Sequence, residues 1–208
     1  MPQIPPVING GYVVVPTASK GSIVLRKGET LLKLTKRNSL LRAVADYGEI
    51  QHRLAPFGDA YLPSNFGVTA YKGDTYTVTA QKRCADGRTV ADFCSRRGAP
   101  FVWLFENSET GKRNARLVLY LIDWLIEATS RDELYPDPVG WPTEPFIKNS
   151  RNMLVEPGGR IVLCDVGLSP HADILARQGL NFYGSQNVIN YRRALEIDRG
   201  QITRLSGL

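Results

Sequence analysis

An aspartate closes an apolar run in "GRIVLCDVGLSP", residues 159–170, and is followed by Val166 and Gly167. Two roles put a carboxylate there. It can accept backbone hydrogen bonds in a turn, or it can bind a hard cation. Asn152 stands thirteen residues before Asp165, and the intervening "MLVEPGGRIVLC" reads as strand, Pro-Gly-Gly turn, strand. A hairpin of this kind folds the chain back and brings its two ends together. Lys33 alternates with leucines in "TLLKL", and Glu49 lies sixteen residues later in a helical stretch. Taken singly, the lysine reads as solvent-facing and the glutamate as a surface carboxylate.

The elements that must position these residues follow from hydrophobic periodicity. "MPQIPPVING" is a proline-rich arm. "GYVVVP", "GSIVLRKG" and "TLLKLTK" have the composition of strands, joined by Gly, Ser and Lys. "NSLLRAVADYGEIQHRLAPF" is a helix that Asn38 or Ser39 can cap, with Leu40, Leu41, Val44 and Leu54 near one face and Pro56 as its stop. "NFGVTAYKGD" and "TYTVTAQKR" form a hairpin around Lys72-Gly73-Asp74. "CADGRTVADF" is a connector entering a short helix, and "GKRNARLVLYLIDWLIEATS" is the strongest helical pattern in the chain. "LYPDPVGWPTEP" is irregular because its prolines cannot continue a helix. The tail after Ser169 has weaker helical patterns. Three strands, a helix and two strands thus precede a mostly helical part, which is an α+β arrangement. Ligand sites favour the cleft between two such parts.

This order of elements, with the residues above, resembles the protein kinase superfamily over about residues 10 to 170. The resemblance implies a minimal bilobal protein-kinase-like fold, with an antiparallel-sheet N-lobe over 11–83 and a truncated helical C-lobe over 84–208, after an arm over 1–10. It implies that Lys33 holds the nucleotide phosphates and that Glu49 orients Lys33, with Asp46 a rival one turn earlier. Asn152 and Asp165 would take the places of the catalytic-loop asparagine and the D-F-G aspartate, holding Mg2+ on ATP. Val166 stands where phenylalanine is usual, and Gly167 matches the glycine. Gly21, in "PTASKGSIVL", would be the third glycine of the phosphate loop; the earlier two are absent. Lys82, Cys84 and Ala85 lie in the connector that would meet the adenine.

Two departures matter. Ile147 stands five residues before Asn152, where the family carries the aspartate that accepts the substrate proton. Glu144 and Asp137 are the nearest acidic substitutes. No A-P-E motif follows Gly167, so the platform that docks a peptide is reduced. In this respect the chain looks like the minimal kinases among bacterial effectors and, more loosely, the YrbL-like proteins. Phosphoryl transfer depends mainly on positioning and electrostatics, and general-base help contributes roughly 10²–10⁴-fold, so slow turnover is compatible with the loss. The alternative is a pseudokinase that binds a protein partner without turnover.

Composition narrows the remaining classes. The chain has 208 residues, with 43% hydrophobic and 22% charged, enough for a sizeable core. Three cysteines without a C-x-x-C pair argue against a disulfide framework or a zinc site and for a cytoplasmic, reducing compartment. Export into a host cell is left open. Residues 1–20 lack the charged start and apolar run of a signal peptide. A net charge of +6 permits nucleic-acid binding, but the basic residues are dispersed and no known module appears, so a basic nucleic-acid-binding or adaptor domain is the lesser alternative. The partners expected are ATP and a protein or small-molecule substrate, with no membrane span.

Overall fold

The structure is a computed structural model. It describes residues 11–15, 22–36, 40–61, 63–71, 74–84, 86–97, 101–131, 135–136, 150, 152–164, 168–169 and 185–208. Gly21, Ala85, Ile147 and Asp165 lie outside the described residues. Contacts divide the chain into two compact units, Met1–Ala55 with Tyr61–Ala85, and Pro56–Ala60 with Asp86–Leu208.

The first unit is built on strands β1 (Val13–Val15), β2 (Ser22–Lys27), β3 (Thr30–Lys36), β4 (Pro63–Tyr71) and β5 (Asp74–Lys82). They form one antiparallel sheet in the order β1-β2-β3-β5-β4. Helix α1 (Leu40–Leu54) comes between β3 and β4 in the chain. The β2–β3 turn has only Gly28 and Glu29 between the paired Lys27 and Thr30. Gly28 takes a φ of 56°, the positive value that so tight a hairpin requires and that glycine adopts without cost to a Cβ.

Alternation along the strands decides what each face carries. Leu25 and Leu34 are fully buried, and Ile23, Leu32, Tyr76 and Val78 pack against them. Lys33, one residue out of step with those leucines, therefore shares the other face with its cross-strand neighbours Val24 and Thr79. That face carries threonines whose hydroxyls donate to main-chain oxygens of β3: Thr77 to Thr35 at 3.3 Å and Thr79 to Lys33 at 3.4 Å. Lys36 and Asp74 pair at 2.7 Å on neighbouring strands, and this hydrogen bond raises the Lys36 pKa above its ordinary value. In α1, Ile50 and Leu54 are buried one turn apart. The helix ends at Leu54, where a 3-10 helix, Ala55–Ala60, follows with proline in its first turn.

The second unit contains that 3-10 segment from Pro56, β6 (Arg88–Thr89), α2 (Val90–Arg97), a second 3-10 helix (Phe101–Phe105) and α3 (Glu109–Arg131). After these come β7 (Tyr135–Pro136), β8 (Met153–Val155), β9 (Ile161–Leu163), β10 (Leu168–Ser169) and α4 (Ser185–Ser206). Helix α3 is its axis. Ala115, Leu117, Val118, Leu121, Ile122, Trp124 and Leu125 are buried along it at helical spacing, and α4, whose Leu195 and Ile202 are buried, packs on it. Arg199 of α4 meets Asp123 of α3 at 2.8 Å. Ser108 caps α3 by accepting from the Gly111 amide at 3.0 Å. A Cβ at Gly111 would lie 2.0 Å from the Glu106 carbonyl oxygen, so only glycine fits there.

The α+β class expected from the sequence is present: an antiparallel sheet with helices. The five strands of the first unit, α1 and α3 fall where periodicity places them. Two pairings were not legible. The connector strand β6 adds to the edge of β8, and the proline-rich stretch, expected to be irregular, contributes β7 to a short pair with β10. Both are two-residue strands, too short to leave a period-2 signature. No described helix is long and apolar enough to cross a membrane.

Candidate functional site

The β8–β9 hairpin carries the site's most specific feature. Its three registered pairs are Met153 with Leu163, Leu154 with Val162 and Val155 with Ile161. Beyond them, the Cys164 amide donates to the Asn152 carbonyl oxygen at 2.9 Å, and the Cys164 Sγ lies 3.3 Å from the same atom. Cys164 is half-buried. The open end of the hairpin thus holds Asn152 directly across from the residue that precedes Asp165 in the chain. Asp165 itself lies outside the described residues.

The rest of the hairpin is tightly fixed. At its turn, the Gly159 amide donates to the Glu156 carbonyl at 2.8 Å and Glu156 to Arg160 at 2.9 Å. Gly159 has a φ of 82°, and a Cβ on it would sit 3.5 Å from the Trp103 ring. Trp103 in turn stacks on Phe93 with centroids 5.6 Å apart. Met153, Val155 and all of β9 are buried.

Two residues that the sequence did not single out hold this hairpin. Asn114 on α3 is 1% exposed. Its Nδ2 donates to the carbonyls of Leu104 and Gly159, both at 2.9 Å, and its Oδ1 accepts from the Ile161 amide at 2.8 Å. A single amide therefore ties α3, the second 3-10 helix, the hairpin turn and the start of β9 together. Ser150 is fully buried; its Oγ accepts from the Met153 amide at 3.1 Å and its carbonyl from the Ala91 amide at 3.0 Å. This fixes the main chain on the entry side of Asn152. A polar residue inside an amphipathic helix pattern was the available signal for Asn114, since such a residue is buried only when it is bonded.

The other expected site residues belong to the first unit. Lys33 is half-buried in the middle of β3, held between β2 and β5. Glu49 is on α1, its side chain 45% exposed, and it pairs with Arg53 one turn later. Lys82 ends β5 and is exposed, and Cys84 is half-buried just past it. Between them, the Arg83 amide donates to the Glu29 carbonyl at 2.6 Å, which fixes the start of the connector to the β2–β3 turn.

The donor types at the hairpin end suit magnesium. Asn152 offers a hard amide oxygen, and this ion takes its remaining ligands from carboxylates, phosphates and water. Among the described residues no group of three His, Cys, Asp or Glu side chains could cage a metal.

No family model matches the chain, and no curated protein matches it. Solved structures that match include choline kinase LicA from Streptococcus pneumoniae, 10% identical, with a TM-score of 0.35 over 89% of this chain and 74% of that one. Another is a choline/ethanolamine kinase family protein from Mesorhizobium loti, 16% identical, with a TM-score of 0.39 over 96% of this chain and 76% of that one. At TM-scores below 0.5 these likenesses support no conclusion about this chain.

Proposed function

We propose that the chain is an atypical, minimal kinase-like protein that binds Mg-ATP and transfers phosphate to a protein or small molecule. The observation that carries this reading is the closure of the β8–β9 hairpin by the Cys164–Asn152 bond, which sets Asn152 beside the chain that leads into Asp165. Bound magnesium would supply positive charge to the phosphate oxygens. Asn152 and Asp165 hold it. Lys33 pairs with the phosphates, and Glu49 exchanges Arg53 for Lys33 to orient it. Gly21 lies under the phosphates, and the connector at Lys82, Cys84 and Ala85 meets the base. With Ile147 at the position of the usual proton acceptor, catalysis rests on positioning and charge, and turnover is slow.

Ile147 also favours a second reading, a pseudokinase that binds nucleotide and a partner protein without turnover. Calorimetric titration of ATP with and without magnesium, on the wild type and on Asp165→Ala, tests what the two share. Magnesium-dependent binding that the substitution removes supports the site. Absence of binding in the wild type defeats both. Release of labelled phosphate from bound ATP then separates the kinase from the pseudokinase.

A further inference from the structure

Apart from the hairpin's open end, the second unit contains a cavity of about 200 Å3. Its wall is apolar: Pro56, Phe57, Leu117 and Ile161. Its polar side is Asp59 with Arg113 and Arg116, which are three residues apart and so share one face of α3. Asp59 is already engaged, since one of its oxygens accepts from both Nε and Nη2 of Arg113. Arg160 lies 3.9 Å from that same oxygen and pairs with Glu156. Three guanidinium groups thus face two carboxylates, and one positive charge is left over. Arg116 is exposed and makes no ion pair among the described residues. Arg113 Nη1 is shut off from solvent with no acceptor among them. With Nε and Nη2 spent on Asp59, Arg113 offers no donor open to the cavity, and the exposed charge there is that of Arg116.

We propose that this cavity binds a small organic oxyanion, a phosphate monoester or a carboxylate carried on a ring-sized apolar body. The exposed charge of Arg116 selects the anionic end. The Phe57, Leu117 and Ile161 wall selects the body. Size selects the class, because an apolar cavity of ~150 Å3 holds a benzene ring and drug-sized ligands need ~300 Å3 or more. The proposal does not depend on the nucleotide reading.

Phenyl phosphate, benzoate and inorganic phosphate, titrated calorimetrically into wild type, Arg116→Gln and Asp165→Ala, test it. Loss of one charge-assisted contact should weaken binding of the organic probes to Arg116→Gln by about tenfold. Asp165→Ala should bind as the wild type does, and inorganic phosphate, which has no body for the apolar wall, should bind more weakly. Preference for phenyl phosphate assigns phosphate monoesters and preference for benzoate assigns carboxylates; either supports the site. Arg116 is exposed, so its replacement leaves the fold intact, which an unchanged melting temperature would verify. Failure of both organic probes to bind the wild type overturns the proposal, as does binding that Arg116→Gln leaves unchanged or that Asp165→Ala weakens.

Discussion

Asn114 shows how one side chain can set the geometry of a site it does not touch. Its three hydrogen bonds end on main-chain groups that have no other route to solvent at a residue 1% exposed. Truncation would strand two carbonyls and an amide, and each buried unpaired group costs about 1–3 kcal/mol. Asn114→Ala should therefore destabilise the protein by at least about 3 kcal/mol in urea unfolding, and Asn114→Asp, which sets a buried carboxylate against two carbonyl oxygens, should lose at least as much. Equal and small losses in both variants would show that the hairpin does not depend on this amide. Lys33 makes the opposite prediction. It lies on the threonine-bearing face of the sheet, away from Leu25 and Leu34, so Lys33→Met should leave the urea midpoint nearly unchanged. Phosphate release should fall by about 10²-fold if Lys33 stabilises charge on the transferred group, and steady-state rates would reveal it.

Elements were legible in proportion to the length of their periodic signal. β5 alternates cleanly, β2 and β3 are apolar runs bounded by turn residues, and α3 repeats its apolar face over 23 residues, so each could be placed from residue type alone. The hairpin was legible because Pro157-Gly158-Gly159 interrupts two apolar runs. The devices that fix the elements were not legible, because they depend on contacts distant in sequence. Ser150 bonds to Ala91 and Asn114 bonds to Ile161, and no local pattern announces either. Of the candidate site, Lys33, Glu49 and Asn152 could be named from spacing and resemblance, whereas their surroundings could not. Gly111 offers a test at this scale. Its position leaves no room for a Cβ beside the Glu106 carbonyl. Gly111→Ala should shift the first turn of α3 and cost about 1–3 kcal/mol, although alanine is the better helix former in isolation. A stabilised variant in chemical denaturation would refute the close approach.

At the scale of the whole molecule, a sheet unit and a mainly helical unit are joined in one chain, with the candidate residues divided between them. A ligand that binds only the native state stabilises it by mass action. At a concentration one hundred times its Kd, Mg-ATP should add about 2.7 kcal/mol to wild-type stability and nothing to Asp165→Ala, as read from denaturation curves with and without nucleotide. The net charge of +6 predicts that any binding to nucleic acid weakens steeply with salt. Such binding should be indifferent to Asp165, which separates it from nucleotide binding. The central claim is that Asn152 and Asp165 share a divalent ion on a nucleotide. Manganese stands in for magnesium and is visible by electron paramagnetic resonance. Titration of Mn2+ in the presence of ATP should remove the signal of free Mn2+ on adding wild-type protein, beyond what ATP alone removes, and should do so far less with Asn152→Ala or Asp165→Ala. Retention of Mn2+ by both variants at wild-type strength would contradict the account.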